Sequence, residues 1–161
     1  MSFEEDVKQG LTAKQKRLHS KYFYDSTGDE LFQEIMGLPE YYLTSAELEI
    51  FQNQTNTILE VFNNEHRFFD LLEFGAGDGM KTKILVKELL NNGAKFRYLP
   101  IDISQAVLEG LEKDFHSEFP TLEIEPRNKD YFSALSDVYS ESDNPKLVLF
   151  LGSSIGNFNK K

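Results

Sequence analysis

The chain has 161 residues, 40% of them hydrophobic and 27% charged, which suits one folded domain and not a disordered segment. A formal net charge of −10 argues against nucleic acid and anionic membranes as partners, because the long-range field repels both. The absence of cysteine excludes disulfides, thiolate metal sites and a cysteine nucleophile.

The acidic start Met1-Ser2-Phe3-Glu4-Glu5-Asp6 lacks the basic, then apolar, layout of a signal peptide. No apolar run approaches membrane-spanning length, so a soluble cytoplasmic chain is expected. Residues 1–66 read as helices and loops, distinct in character from the rest of the chain. A helix is predicted over residues 29–36, where Leu31, Phe32, Ile35 and Met36 fall at helical spacing before Gly37-Leu38-Pro39 stops it. Thr44 through Glu47 has the pattern of a capping box and opens a helix predicted to reach about Phe62. Tyr22, Phe23, Tyr24, Tyr41 and Tyr42 concentrate aromatic surface in this segment, where packing is the ordinary use of such residues.

From residue 67 onward strands and helices alternate. Strands are predicted at residues 68–74, 96–101, 122–125 and 147–151, and helices at 80–91, 104–115 and 132–139. Asn92-Gly93 ends the first of these helices and Ser104 caps the second. The alternation implies an α/β fold with a parallel sheet and right-handed crossovers. In doubly wound order the fourth strand lies beside the first, opposite the second and third. Leu147-Val148-Leu149-Phe150-Leu151 is apolar on both faces, as in an interior strand. Without a fifth strand it forms an exposed apolar edge, so the chain is expected to be half of a larger unit or to self-associate through that edge.

Gly75, Gly77 and Gly79 lie between a strand and a helix, where missing side chains admit a ligand to the backbone and to the helix N-terminus. The Gly-x-Gly-x-Gly spacing differs from the dinucleotide Gly-x-Gly-x-x-Gly pattern. Glu73, ending the strand, suits a cationic or amine-bearing ligand such as S-adenosylmethionine better than a pyrophosphate. Asp102 ends the second strand, where a carboxylate can accept both ribose hydroxyls, or can simply serve the entry of the next helix. Asp130 and Tyr131 follow the third strand, placed either for an adenine edge or as a helix start. Gly152 through Phe158 follows the fourth strand; small residues leave room there, and Asn157 offers a donor and an acceptor. His19, His66 and His116 show neither metal-ligand spacing nor a nucleophile partner, and no metal site is expected.

The ordered blocks Tyr24-Asp25 through Gly28, Glu30-Leu31-Phe32, Leu38-Pro39-Glu40-Tyr41-Tyr42, Glu73-Phe74-Gly75-Ala76-Gly77 with Lys81-Thr82, and Phe150 through Asn157 resemble the histidine-specific methyltransferase family of ergothioneine biosynthesis. The resemblance covers nearly the whole chain. It implies a Rossmann-like class I methyltransferase fold, present through its first four strands at residues 67–161, with residues 1–66 as a helical substrate wall. It implies an enzyme that uses S-adenosylmethionine to methylate the α-amino group of histidine or a related amino acid. By residue, it implies cofactor contacts at Gly75, Lys81, Asp102, Asp130 and Tyr131, beside Glu73 and Gly77 of the loop. Substrate contacts fall on Tyr41, Gly152 and Asn157, with Tyr24 in the same wall. The family's substrate domain would follow the fourth strand, so the chain by itself is expected to be inactive. Two other readings are a non-catalytic adenosine-binding or assembly module and an NAD-dependent oxidoreductase; Glu73 and the glycine spacing argue against the second.

Overall fold

The computed structural model describes residues 2–23, 25–60, 68–152 and 154–157. Among the described residues, the α-helices before the sheet are α1 (Phe3–Thr12), α2 (Ser26–Met36) and α3 (Leu43–Glu60), with a short 3-10 turn at Ser20–Phe23. The acidic N-terminus is itself helical. Ser2 Oγ accepts from Glu5 N at 3.3 Å and Glu5 returns a bond to Ser2 N at 2.8 Å, a reciprocal cap in a stretch whose sequence is most conspicuous for its charge. α2 begins three residues before the predicted start, because Asp25 accepts from Gly28 N at 2.8 Å. α3 begins at Leu43, which places Thr44 inside the helix; the expected capping box does not form, since Glu47 is drawn to partners elsewhere. The predicted helix end near Phe62 and the boundary at residues 66 and 67 lie outside the described residues.

The sheet contains β1 (Phe69–Phe74), β2 (Phe96–Asp102), β3 (Glu123–Ile124), β4 (Arg127–Asn128) and β5 (Lys146–Leu149). Every pairing is parallel, in the order β3-β2-β1-β5, with β4 also on β2. The return of β5 to the far side of β1 is the doubly wound reversal expected from the alternation. The single third strand predicted at 122–125 is two short pieces. Pro126 has no N–H to give the ladder. Tyr98 O accepts from Glu125 N and Ile101 O accepts from Gly75 N, so Pro100, between them, also turns its missing donor toward the break.

Helices α4 (Met80–Asn91), α5 (Gln105–Glu118) and α6 (Tyr131–Glu141) cover the sheet. Alternate residues of β1 feed opposite faces. Phe69 and Leu71 join Phe51, Leu85, Tyr98 and Phe115 on one side; Leu72 and Phe74 join Leu99, Ile101, Ala134 and Val138 on the other. Phe51 brings α3 into the same core as the sheet, and Ile58 and Leu59 of that helix pack against it. Among the described residues β5 pairs only with β1, and Val148 is 42% exposed on that edge. No described helix is long and apolar enough to cross a membrane.

Candidate functional site

Two cavities meet at the glycine loop over the carboxyl ends of the strands. The larger, about 850 Å³, lies within the ordinary range for small-molecule sites, about 300–1,000 Å³. Gly75, Gly77 and Asp78 form one wall, Asp102 and Ile103 the floor beyond β2, α5 a flank, and Asp130 with Tyr131 the far end. Helix α2 contributes Asp29, Phe32 and Gln33. The smaller cavity, about 290 Å³, lies on the other side of the same loop and takes in Tyr41, Glu47, Glu73, Lys81 and Gly152.

The loop glycines have distinct reasons. Gly77 has φ +55°, and a Cβ built there would meet no atom within 4 Å, because it would project into open space beside the cavity. Gly79 has φ +65°, and a Cβ there would come within 2.6 Å of the Phe115 ring. Gly77 therefore leaves the space beside the cavity open, whereas Gly79 lets α4 close onto α5.

Asp102 joins the loop to the second strand. Its Oδ1 accepts from Ser104 N at 3.0 Å and its Oδ2 from Gly77 N at 3.5 Å. Burial raises its pKa above the ordinary range, the two backbone donors oppose that, and the nearby Asp29 carboxylate adds to the rise. Glu73 lies beneath the loop on the core side, 2% exposed. Thr82 Oγ1 donates to one of its oxygens at 2.6 Å and the Tyr98 hydroxyl donates to the other. Burial lifts its pKa to about 7 in spite of those two donors. Both carboxylate oxygens thus already have donors from the fold, which tie the end of β1 to α4 and β2 on either side of the loop, while Glu73 also borders the smaller cavity.

Asp130 caps α6: Oδ1 accepts from Phe132 N and Ser133 N, each at 3.1 Å, and Oδ2 from Ser133 Oγ at 2.6 Å. These donors, the Ser133 hydroxyl foremost, lower its pKa. Tyr131 packs its ring 5.0 Å from Phe74 and 5.5 Å from Phe150. Lys81, in the first turn of α4, pairs with Glu47 at 2.7 Å. Tyr41 meets Phe32 edge to face at 6.0 Å. Gly152 has φ +72° and donates its N–H to Glu47 Oε1 at 3.1 Å. Asn157 closes a short 3-10 turn after β5. Tyr24 lies outside the described residues.

Thus Asp102, Asp130 and Tyr131 share the larger cavity, Tyr41, Glu73, Lys81 and Gly152 the smaller, and Gly75 and Gly77 line both. Sequence reasoning missed Asp29 and Glu47. Asp29 reads as a helix residue and Glu47 as a local cap; neither has a local signal, because each owes its place to packing between distant segments.

Among the described residues the larger cavity is lined by Asp29, Asp78, Asp102, Asp114 and Asp130 with the cation Lys113, and Asp114 is paired with Lys83 behind it. Such a lining favours a positively charged guest and opposes a polyphosphate.

The model of the histidine-specific, S-adenosylmethionine-dependent methyltransferases matches residues 3–161. The chain is 34% identical over 152 residues to the histidine N-alpha-methyltransferase of Mycolicibacterium smegmatis, covering 94% of this chain and 46% of that protein. It is 33% identical over 157 residues to the histidine N-alpha-methyltransferase of Mycobacterium tuberculosis, covering 98% and 47%. It is 28% identical over 162 residues to ergothioneine biosynthesis protein 1 of Schizosaccharomyces pombe, covering 98% and 21%. The chain spans about half the length, or less, of these curated relatives.

Proposed function

Because the chain belongs to the histidine-specific, S-adenosylmethionine-dependent methyltransferase family, we propose that it is the cofactor-holding half of an enzyme that methylates the α-amino group of histidine or a related amino acid. The observation that carries this reading is the acidic cavity of about 850 Å³ joined through Gly75 and Gly77 to a smaller one holding Tyr41 and Gly152. When bound, S-adenosylmethionine supplies an electrophilic methyl group on a sulfonium centre.

In this reading residues 67–161 bind the cofactor and residues 1–66 wall the substrate side. Asp102 accepts the ribose hydroxyls, Asp130 and Tyr131 flank the base, and the loop at Gly75 and Gly77 lets the chain backbone approach the sulfur. Lys81 faces the amino acid end of the cofactor, and Glu73 holds the loop from below. Tyr41 and Gly152 orient the amine from the smaller cavity, and Asn157 and Tyr24 complete the substrate set. The leaving thioether is neutral, so acid catalysis is unnecessary; the residues align donor and acceptor and exclude water. The five aspartates around the larger cavity support a sulfonium guest over the pyrophosphate of a nicotinamide dinucleotide.

Calorimetry of the chain with S-adenosylhomocysteine and S-adenosylmethionine tests the site. Micromolar binding is expected, with none for NADH; tighter NADH binding would replace this reading with the oxidoreductase one. A radiolabelled methyl-transfer assay on histidine then separates an enzyme from a binding module.

A further inference from the structure

Glu47 borders the smaller cavity together with both of its partners. Its Oε2 lies 2.7 Å from Lys81 Nζ, at the start of the helix that follows the glycine loop. Its Oε1 accepts from Gly152 N at 3.1 Å, in the segment after β5. Glu47 itself belongs to α3, so one carboxylate ties together three elements that are remote in sequence. Its side chain is 32% exposed and that of Lys81 24%, so both remain open to the smaller cavity they line.

We propose that Glu47 is a positioning residue that couples the cofactor side of the site, through Lys81, to the substrate side, through the Gly152 N–H. The inference rests on the cofactor reading above. A carboxylate shared between a cation and an amide responds to both: when Lys81 turns toward an incoming anionic group, Glu47 loses charge compensation on one oxygen, and its hydrogen bond to Gly152 changes strength. The amino acid end of the cofactor carries such an anionic group. Drawing Lys81 toward a ligand thereby adjusts the Gly152 backbone in the same smaller cavity through Glu47, with no atom of the ligand touching Gly152. Gly152 is suited to respond: at φ +72° it occupies a region glycine enters freely, and a Cβ there would meet nothing within 4 Å.

The test follows the Gly152 amide resonance of the ¹⁵N-labelled chain. Lys81→Met in the ligand-free chain should shift that resonance, and the same substitution in a Glu47→Gln background should leave it in place. Glutamine keeps an oxygen for the Gly152 N–H but gives Lys81 no charge, so Glu47→Gln should preserve the protected amide and Glu47→Ala should abolish it. S-adenosylhomocysteine should move the Gly152 resonance in the unmodified chain and not in Glu47→Gln. An unmoved Gly152 resonance in Lys81→Met, or an equal shift in the Glu47→Gln background, overturns the coupling. Failure of the unmodified chain to bind S-adenosylhomocysteine would instead overturn the cofactor reading, and the ligand-free comparison would still decide the role of Glu47. If Glu47→Ala fails to fold, the Gln background carries the comparison alone.

Discussion

Ser104 Oγ donates a 2.7 Å hydrogen bond to Asp29 Oδ2 across 75 residues of sequence, fastening α2 to the N-cap of α5. The same hydroxyl accepts from Val107 N as the cap of α5. One serine thus both starts a helix and holds the N-terminal wall against the larger cavity. Ser104→Ala removes both bonds and should destabilise the chain by about 1–2 kcal/mol, measured by urea unfolding.

Asp29 also acts through its charge. Asn at position 29 retains an oxygen for Ser104 but removes the carboxylate that helps raise the Asp102 pKa. Asp29→Asn should therefore lower the Asp102 titration midpoint while leaving stability within about 0.5 kcal/mol. Carboxyl ¹³C NMR resolves the midpoint; an unchanged Asp102 would mean the two acids do not share a field.

The glycines of the loop should divide into a binding position and a packing position. Gly77→Ala has open space for its methyl group and meets only the penalty of a positive φ, roughly 1 kcal/mol, but should weaken S-adenosylhomocysteine by roughly tenfold or more. Gly79→Ala drives its methyl group into Phe115 and should cost about 1–3 kcal/mol from overpacking, added to the same backbone penalty. Calorimetry beside thermal unfolding separates the two effects.

Glu73 should make stability depend on pH near neutrality. Its folded pKa is raised from 4.5 to about 7, so the folded chain holds a proton that the unfolded chain has released. Stability is consequently lost as pH rises from about 4.5 to about 7, by an amount of order 3 kcal/mol, and the loss levels off above that. Glu73→Gln should remove that slope. A Glu73→Gln variant whose unfolding free energy tracks the parent across the window would contradict the assignment.

At the opposite end of the sheet Asp70, fully buried, should matter to stability alone. Arg97 donates to it through Nε at 2.8 Å and Nη2 at 3.3 Å, and Ser142 and Asn144 donate as well. Burial would raise its pKa, but these donors together hold it below the usual value. Asp70→Ala leaves the half-buried Arg97 with Glu125 alone as its acidic partner and should destabilise by about 3 kcal/mol with no change in cofactor affinity at temperatures where the variant is folded.

The amino-acid sequence by itself determined what is periodic or local. Alternation marked β1, β2 and β5, Gly93 and Ser104 marked helix ends, and glycine spacing between a strand and a helix located the loop. Motif blocks extending from Tyr24 to Asn157 carried the family. What it left undetermined depends mostly on partners distant in the chain. The Ser2 and Glu5 cap is an exception, local yet masked by the run of acidic charge around it. The break at Pro126 is legible in composition, yet its effect emerges only once Pro100 is paired beside it. Glu73 is a carboxylate at a strand end in sequence, and only the approach of Thr82 and Tyr98 makes it a buried, hydrogen-bonded support. Glu47 has the spacing of a cap, and only the packing of α3 beside α4 and the turn after β5 makes it a bridge from Lys81 to Gly152. Residue type and spacing prescribe local backbone form and which face is apolar; which donor meets which acceptor is decided by the burial that brings separate elements together.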